Sequence, residues 1–344
     1  MRLRTYVIRR ILLLIPILIG VSVLIFIISM AFSPEQRAVL YAKSPRALRN
    51  IRMLVEKYHL SDPAYIQYFN WIDQVLHGDL GWSHFSNLPV SQAIVKHLPA
   101  TIELVLFSTP IIYILGTRMG ILAAVKRDQA TDHALRLFAI IGWSLPTFWS
   151  AILLLSVFYG GFGWFPPGRL GLEASWFIIE SPTFVQYTKI NTIDALLNGE
   201  LWIFVDALKH LVLPVLNLFV VYVAWIMRVM RSGMLEALGK GYVLTAKAKG
   251  LNETDVIYKH ARKNAMIPVI TVSGLMIAGM LSGLVITEIV FDFKGIGYWA
   301  ASAALALDIA AILGFSLFIA IVFVFTNLIV DVFYAYIDAR VRLD

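Results

Sequence analysis

The sequence predicts an all-α polytopic membrane protein, and three observations carry this prediction. The chain has 344 residues, of which 59% are hydrophobic. Only 15% of the residues are charged, whereas soluble globular proteins average about a quarter. Residues 11–32 read ILLLIPILIGVSVLIFIISMAF and contain no charge. Since about 20 apolar residues in a helix cross the hydrocarbon core of a bilayer, this stretch alone predicts a transmembrane helix.

Six apolar segments are long enough to be transmembrane helices. The first follows Arg9 and Arg10, but its apolar run is too long for a cleaved signal peptide and no cleavage motif follows, so we expect it to be retained. The fifth and sixth contain the uncharged stretches 266–287 and 309–330. The six predicted spans are 9–32, 100–124, 134–160, 207–230, 266–290 and 309–336.

The distribution of positive charge predicts that both termini are cytoplasmic. Short cytoplasmic loops carry an excess of Lys and Arg. With the N-terminus inside, the inner segments hold 17 Lys and Arg in 67 residues, and the outer segments hold 10 in 130. The inner segments are then 1–10, 125–136, 228–264 and 337–344, and the outer segments are 33–98, 161–206 and 291–308.

We expect three regions along the chain. Residues 1–32 form the N-terminal transmembrane helix, residues 33–98 an extracytoplasmic helical region, and residues 99–344 a five-helix core. The core carries a long extracytoplasmic loop at 161–206 and a cytoplasmic region at 228–264.

The extracytoplasmic region 33–98 predicts two short helices. Apolar residues recur at helical spacing within 44–60, and Ser44 and Pro45 are a plausible start. A second helix is expected after the Ser-Asp-Pro sequence at 61–63 and should end at Gly78.

The segment between the fourth and fifth spans predicts two short helices joined by a tight bend. Residues 234–264 are basic and amphipathic, unlike the apolar runs on either side. Gly250 stands where the first helix ends, and glycine adopts the left-handed backbone of such an end without penalty. Asn252 is expected to cap the second helix, with Glu253 and Asp255 in its first turn.

Other residues define the predicted limits of these two helices. Arg262 and Lys263 should close the second helix at its negative end, and Pro268 should begin the fifth span. Taken alone, the segment also fits a basic hairpin that binds anionic lipid headgroups. The face expected to pack the first helix consists of Leu235, Leu238, Tyr242 and Ala246.

Residues 242–271, YVLTAKAKGLNETDVIYKHARKNAMIPVIT, resemble the cytoplasmic motif by which ABC importer permeases dock onto their ATPase subunits. In that motif a small residue is followed by a glycine four positions later, then by a helix and a proline. Ala246, Gly250 and Pro268 match this pattern. The glutamate that often opens the motif is absent, because the chain has Leu244 and Thr245 before Ala246.

Five further stretches, in the same order as in the family, make the whole chain similar to the dipeptide/oligopeptide/nickel-type permeases, B-type subunit. They are YVIRRILLLIPILIGVSVLIFIISM (6–30), LSDPAYIQYFNWIDQVLHGDLGWS (60–83), LPATIEL (98–104), SLPTFW (144–149) and NLIVDVFYAYIDARVR (327–342).

The resemblance implies the type I ABC importer permease fold and a role in transport across the cytoplasmic membrane. The chain would form half of a translocation pore with a second homologous permease subunit. Two ATPase subunits would drive it, and an extracytoplasmic binding protein would deliver peptides. The chain itself would be no enzyme and would hold no cofactor, since ATP and Mg²⁺ belong to the ATPase subunits. Oligosaccharides and nickel complexes are the alternative substrates.

The resemblance also implies coupling residues, and the spans themselves contain candidate pore or packing residues. Small residues of the fifth span are expected to pack helices or line the pore, whereas Glu103 and Glu288 are expected at the outer interface without an assigned role. The coupling residues implied are Tyr242, Thr245, Ala246, Lys247, Lys249, Gly250, Leu251, Asn252, Val256, Ile257 and His260. The spacing of small residues and the polar groups within the spans give the candidate pore or packing residues Ser273, Gly274, Ala278, Gly279, Ser282, Gly283, Asn217 and Tyr222.

An ion-coupled secondary transporter is the other class that the composition allows. It would predict broken helices with charged residues at mid-membrane, whereas the acidic residues here mostly flank the spans. The secondary-transporter class also does not account for the basic, amphipathic segment 234–264.

Enzymatic, metal and nucleic-acid functions have little support in the sequence. The chain has no cysteine, which excludes thiol catalysis and iron–sulfur clusters. No predicted span holds a nucleophile beside a histidine, and Asp308 and Asp331 lie at opposite ends of one helix. No histidine pair has the short spacing of metal ligands. The lysines of 234–264 alternate with apolar residues and lack a base-stacking platform.

Overall fold

The structure is a computed structural model that describes residues 3–43, 47 and 49–337, with side chains from Val7 to Val332 within these ranges. Before the second span, the bounded helices among the described residues are α1 (Leu3–Ser29), α2 (Pro34–Ala38), α3 (Ile51–Lys57) and α4 (Ala64–Leu76). A 3₁₀ turn covers Val39–Tyr41, and β1 (Trp82–Ser83) pairs antiparallel with β2 (Leu88–Pro89).

The rest of the described chain is helical apart from its connections. The helices are α5 (Val90–Val125), α6 (Ala130–Ser144), α7 (Thr147–Gly161, ending in a π-helical turn), α8 (Leu172–Glu180), α9 (Asn191–Leu197), α10 (Leu201–Leu238), α11 (Gly241–Ala248), α12 (Glu253–Leu281, with a π-helical turn at Val256–Ala261), α13 (Val285–Val290), α14 (Ile296–Leu305) and α15 (Ile309–Ile337).

Five described helices are long and apolar enough to cross a membrane, namely α1, α5, α10, α12 and α15. Helices α6 and α7 make a sixth span if the bent pair crosses once. The number of predicted spans is therefore confirmed in this sense, and the fold is all-α.

The prediction of one continuous helix over 134–160 was wrong. Helices α6 and α7 meet at an angle of 100°. Pro146 causes the break, because its ring disfavours helical backbone in the residue before it. Leu145 accordingly has an extended ψ of 126°.

The predicted end of the fifth span at residue 290 was also wrong, since α12 ends at Leu281. The chain turns at Gly283, whose φ is +109°. A Cβ at Gly283 would lie 2.7 Å from Cα of Gly297, so two glycines allow the two backbones to touch. The separate helix α13 follows this turn.

The region 33–98 and the loop 161–206 are more structured than their sequence suggested. Within the described residues the first predicted helix is α3, and its predicted start at Ser44 and Pro45 lies outside them. The second is α4, which ends at Leu76, close to the predicted end at Gly78. The loop 161–206 contains two helices, α8 and α9.

Helices α5 and α10 lie side by side and run in the same direction. A Cβ at Gly116 would come within 2.8 Å of Ile226, and one at Gly120 within 2.6 Å of Met230. These glycines therefore bring the helices into close contact, as small residues do in membranes. The main hydrophobic core lies between α5, α10 and α12.

The bundle has two ends, which we name by their chain segments. The hairpin end carries residues 239–264. The loop end carries residues 161–206 and 291–308. Since α5 and α10 each run from the loop end to the hairpin end, the two ends are separated by the length of these helices.

A substitution at Gly274 would test the packing of α12 against α15. A Cβ at this position would overlap the side chain of Val330, so we expect Gly274→Ala to destabilise the chain by about 1–3 kcal/mol through overpacking. The measurement is unfolding of the detergent-solubilised chain. Gly279→Ala is the matched control on the same helix, because nothing lies within 4 Å of its Cβ position. Equal stability of both variants would contradict the proposed contact.

Candidate functional site

The hairpin, residues 239–264, is built around the bend at Gly250. The φ of Gly250 is +77°. Its N–H donates to the carbonyl of Lys247 (3.0 Å), and the N–H of Leu251 donates to the carbonyl of Ala246 (3.3 Å). This pair of bonds is the Schellman motif, which satisfies the last carbonyls of a helix. The predicted left-handed glycine is therefore confirmed.

The second half of the hairpin begins as predicted. The side-chain oxygen of Asn252 accepts a hydrogen bond of 2.7 Å from the N–H of Asp255. Glu253 and Asp255 lie in the first turn of α12, where negative charge interacts favourably with the helix dipole. Lys259 pairs with Asp255 across one turn at 2.8 Å.

Three predicted features of the hairpin were wrong. The helix does not run through from 234 to 249, because α10 ends at Leu238 and α11 begins at Gly241. Arg262 and Lys263 do not close a helix, and Pro268 does not begin one. They lie within the continuous helix α12, and the fifth span is thus a direct extension of the hairpin. Neighbouring helices in a bundle allow a proline inside such a helix.

The face that packs α11 also differs from the predicted one. Val243, Ala246 and Val256 form a small buried core between the two arms of the hairpin. Tyr242 is 38% exposed. It lines an open cavity where the hairpin meets α10 and α12. The buried face of α11 therefore includes Val243 and not Tyr242, because packing against the rest of the bundle sets the rotation of α11 about its axis.

The predicted coupling residues divide into two groups. Ala246, Val256 and Ile257 are buried and hold the hairpin together or fix it to the main core. The others are exposed: Tyr242, Thr245, Lys247, Lys249, Gly250, Leu251, Asn252 and His260. Only the second group is available to another protein.

Sequence reasoning missed the most exposed apolar side chain of this surface. Leu244 is 69% exposed, and Leu251 and Tyr258 are also exposed. Exposed basic residues are close to them in the sequence, namely Lys247, Lys249, Lys259, Arg262 and Lys263, and the Arg262 guanidinium lies over the Tyr258 ring at 5.8 Å. An exposed apolar patch with a polar rim is typical of a protein interface. The combination of buried Val243 and Ala246 on α11 places Leu244 on the outer face.

An ion pair fixes the start of α6 to α10 at the hairpin end. The Arg231 guanidinium donates to both carboxylate oxygens of Asp132, at 2.8 and 2.7 Å. The N–H of Asp128 donates to the same carboxylate at 3.1 Å. Asp132 is fully buried. Two parallel charge-assisted bonds of this kind are among the strongest side-chain contacts.

The candidate pore or packing residues do not form one site. Gly274 packs against α15, Ala278 is buried, and Gly283 forms a backbone turn. The Ser282 hydroxyl donates to the carbonyl of Ala278 (2.8 Å). Ser273 is buried, and its hydroxyl has no hydrogen-bond partner among the described residues.

Asn217 and Tyr222 lie on α10, away from this group. Asn217 is fully buried and accepts a hydrogen bond of 2.6 Å from Ser150 of α7. Its amide donates to Thr287 of α13 at 3.4 Å. Asn217 thus connects three helices, whereas Tyr222 is partly buried against the main core.

Glu103 and Glu288 were assigned no role from the sequence, yet both are buried. Glu103 accepts a hydrogen bond of 2.7 Å from Arg169 and one of 2.9 Å from the N–H of Thr192. It therefore anchors the loop 161–206 to α5. The partners are 66 and 89 residues away in sequence, so no local signal indicated them.

Glu288 has a comparable function for the segment after α12. It accepts hydrogen bonds from the hydroxyl of Thr101 (2.7 Å) and the N–H groups of Tyr298 (2.7 Å) and Leu284 (3.3 Å). A Cβ at Gly295 would lie 2.5 Å from the carboxyl carbon. The glutamate thus fastens α13 and α14 to each other and to α5.

We expect substitution of Gly250 to loosen the hairpin. An L-residue in left-handed backbone costs about 1–2 kcal/mol, and the β-branched Val tolerates it poorly. Gly250→Val should therefore increase amide hydrogen exchange across 241–260. Gly250→Asn is the control, since Asn tolerates this conformation and nothing lies within 4 Å of the Cβ position. Equal protection in both variants would contradict this account of the bend.

The sequence is similar to that of known membrane transport components. The family described as "Binding-protein-dependent transport system inner membrane component" matches residues 116–343. The chain is 37% identical over 330 residues to the probable D,D-dipeptide transport system permease protein DdpB of Escherichia coli K12, covering 95% of this chain and 94% of that protein.

Two further relatives match over almost their whole length. The oligopeptide transport system permease protein AppB of Bacillus subtilis is 34% identical, over 98% of this chain and 99% of that protein. The dipeptide transport system permease protein DppB of Alkalihalophilus pseudofirmus is 36% identical, over the same shares of the two chains.

Proposed function

Because the chain belongs to the family of inner membrane components of binding-protein-dependent transport systems, we propose that it is the permease subunit of an ABC importer for peptides. The observation that carries this proposal is identity of 34–37% with three peptide permeases over nearly the full length of each chain. The chain is a multi-pass protein of the cytoplasmic membrane. A transport permease is not normally catalytic, and we assign ATP and Mg²⁺ to separate ATPase subunits.

We place both termini and the hairpin end on the cytoplasmic side. This orientation follows from the concentration of Lys and Arg in the segments at that end. The loop end then faces outward, where a binding protein delivers the peptide. A second homologous permease completes the pore, and two ATPase subunits lie beneath the pair.

The hairpin is the element that contacts an ATPase in this proposal. Its exposed Leu244 and Leu251 supply an apolar centre, and the surrounding lysines and Arg262 supply a charged rim. Its buried core and the Schellman motif make it rigid. Since the hairpin continues into α12, movement of the ATPase shifts the fifth span as part of one rigid body.

The test is uptake by liposomes that contain the chain with its second permease and both ATPase subunits. We expect accumulation of a labelled di- or oligopeptide only when ATP is inside and binding protein is outside. A catalytically inactive ATPase subunit is the control. Uptake without ATPase subunits, driven by a proton or sodium gradient, would instead show a secondary transporter. Oligosaccharides and nickel complexes as competitors would distinguish the substrate classes.

A further inference from the structure

Helix α8 (Leu172–Glu180) carries an apolar face that no described residue covers. Leu172 is 83% exposed, Trp176 60% and Ile179 75%. Their spacing of four and three residues places them on one face of the helix. The opposite face packs against the protein, through buried Ala174 and partly buried Phe177 and Ile178.

The contacts of α8 place it beside the first two turns of α10. The N–H of Gly171 donates to the carboxylate of Asp206 at 2.7 Å. The rings of Phe177 and Trp202 meet edge to face with centroids 5.5 Å apart. Helix α8 therefore lies at the level of residues 202–206.

The level of these residues relative to the bilayer follows from α5 and α10. Since Gly116 lies against Ile226 and Gly120 against Met230, Arg118 is level with Arg228. We take these arginines as one boundary of the hydrocarbon layer. That layer is about 30 Å thick, or about 20 helical residues.

The opposite boundary then falls near residue 208 of α10, next to the exposed Lys209. Asp206 is about 3 Å beyond this boundary and Trp202 about 9 Å beyond it, at about 1.5 Å per residue. The headgroup region on each side is about 5–8 Å thick. The start of α8, beside Asp206, is therefore within the headgroup region, and Phe177, beside Trp202, is at its outer edge.

Other exposed apolar side chains lie near this level. On α10 these are Leu201, Trp202 and Val205. On the other side, Phe162 and Trp164 stack at 4.6 Å and are both more than half exposed. The carbonyl of Pro167, which follows them, is 2.9 Å from Nδ1 of His210, so they lie near the same boundary. Tryptophan is enriched at membrane interfaces.

We propose that α8 is an interfacial helix whose face of Leu172, Trp176 and Ile179 lies against the lipids of the leaflet at the loop end. Its two charged residues, Glu173 and Glu180, are exposed and share one flank, seven positions apart. This flank remains in water while the apolar face is in contact with lipid, as in other amphipathic interfacial helices. The lipid contact thereby supports the loop 161–206 from outside, as the Glu103–Arg169 pair does from inside.

The absence of cysteine in the chain makes a site-by-site test direct. Leu172→Cys and Ile179→Cys carry a nitroxide label in the assembled transporter, reconstituted in phosphatidylcholine/phosphatidylglycerol vesicles. Glu173→Cys and Glu180→Cys are matched controls on the same helix. The measurement is collision of the label with oxygen, which concentrates in lipid, and with a water-soluble nickel chelate.

We expect the ratio of oxygen to nickel accessibility to be several-fold higher at 172 and 179 than at 173 and 180. The ratio should not change when binding protein is added. High nickel accessibility at all four positions would overturn the proposal, because the face would then be in water. Low accessibility of 172 and 179 to both reagents would also overturn it and would indicate a covering protein.

A second measurement avoids labels and leaves the other positions intact. Brominated lipids quench tryptophan fluorescence at short range. The Trp176→Phe variant should lose a lipid-quenched component relative to the unchanged chain in the same vesicles. Equal quenching of the two proteins would contradict contact between Trp176 and lipid.

Discussion

Replacing Leu244 with Asp should nearly abolish ATP-driven transport by the reconstituted importer. Leu244 is the most exposed apolar side chain of the hairpin, and a central apolar anchor of an interface contributes about 2 kcal/mol or more. That loss corresponds to about 30-fold weaker binding of the ATPase subunit. The measurement is co-purification of the ATPase subunits with the permease, followed by peptide uptake in liposomes.

The control for this prediction is Leu244→Met, which keeps the apolar surface and should retain both binding and uptake. The hairpin itself should be intact in both variants, because Leu244 lies outside the core of Val243, Ala246 and Val256. Full ATPase binding by Leu244→Asp would show that the contact lies elsewhere on the chain.

Of the variants proposed for this chain, Asp132→Ala should show the largest fall in the free energy of unfolding. Asp132→Ala leaves Arg231, only 18% exposed, without the carboxylate that accepts both of its hydrogen bonds. Breaking a buried ion pair from one side costs about 3 kcal/mol or more. We expect a clear fall in the denaturant midpoint of the solubilised chain and loosening of the contact between α6 and α10.

The neighbouring Asp128 provides the control for this variant. It pairs with Arg127 at 3.1 Å, but both side chains are about two-thirds exposed. Exposed pairs contribute about 0–1 kcal/mol. Asp128 also has a φ of +60°, which Asn tolerates, so Asp128→Asn should leave stability almost unchanged. A similar loss in both variants would mean that burial of Asp132 is not the cause.

The features predicted correctly from sequence depend on nearby residues. Hydropathy located the apolar spans, though not the break at Pro146 or the end of the fifth span, because each span must satisfy its own backbone hydrogen bonds. Gly250 and Asn252 were assigned correctly because a Schellman end and a helix cap are completed within about five residues of chain. The break at Pro146 was missed although proline favours it, since a continuous apolar run on both sides also fits one helix.

The features that were missed depend on contacts between distant residues. Glu103 and Glu288 resemble interfacial acids in sequence, and only folding brings Arg169, Thr192 and Thr101 to them. The rotation of α11 was also not visible locally, because Tyr242 and Val243 are both apolar and the packing decides which is buried. The exposure of Leu244 was not visible in the local sequence either. This exposure makes Leu244 the strongest candidate for a partner contact.

From its cap at Asn252, α12 continues through one π-helical turn to Gly274 without a break, so the orientation of the hairpin about the helix axis is tied to that of Gly274. At about 1.5 Å per residue the two positions are about 33 Å apart. One inserted residue between them would rotate the hairpin by about 100° relative to the face of Gly274 that meets α15. The direction in which the hairpin points is therefore set by the number of residues between it and the packing at Gly274, so this segment should tolerate substitutions better than insertions or deletions.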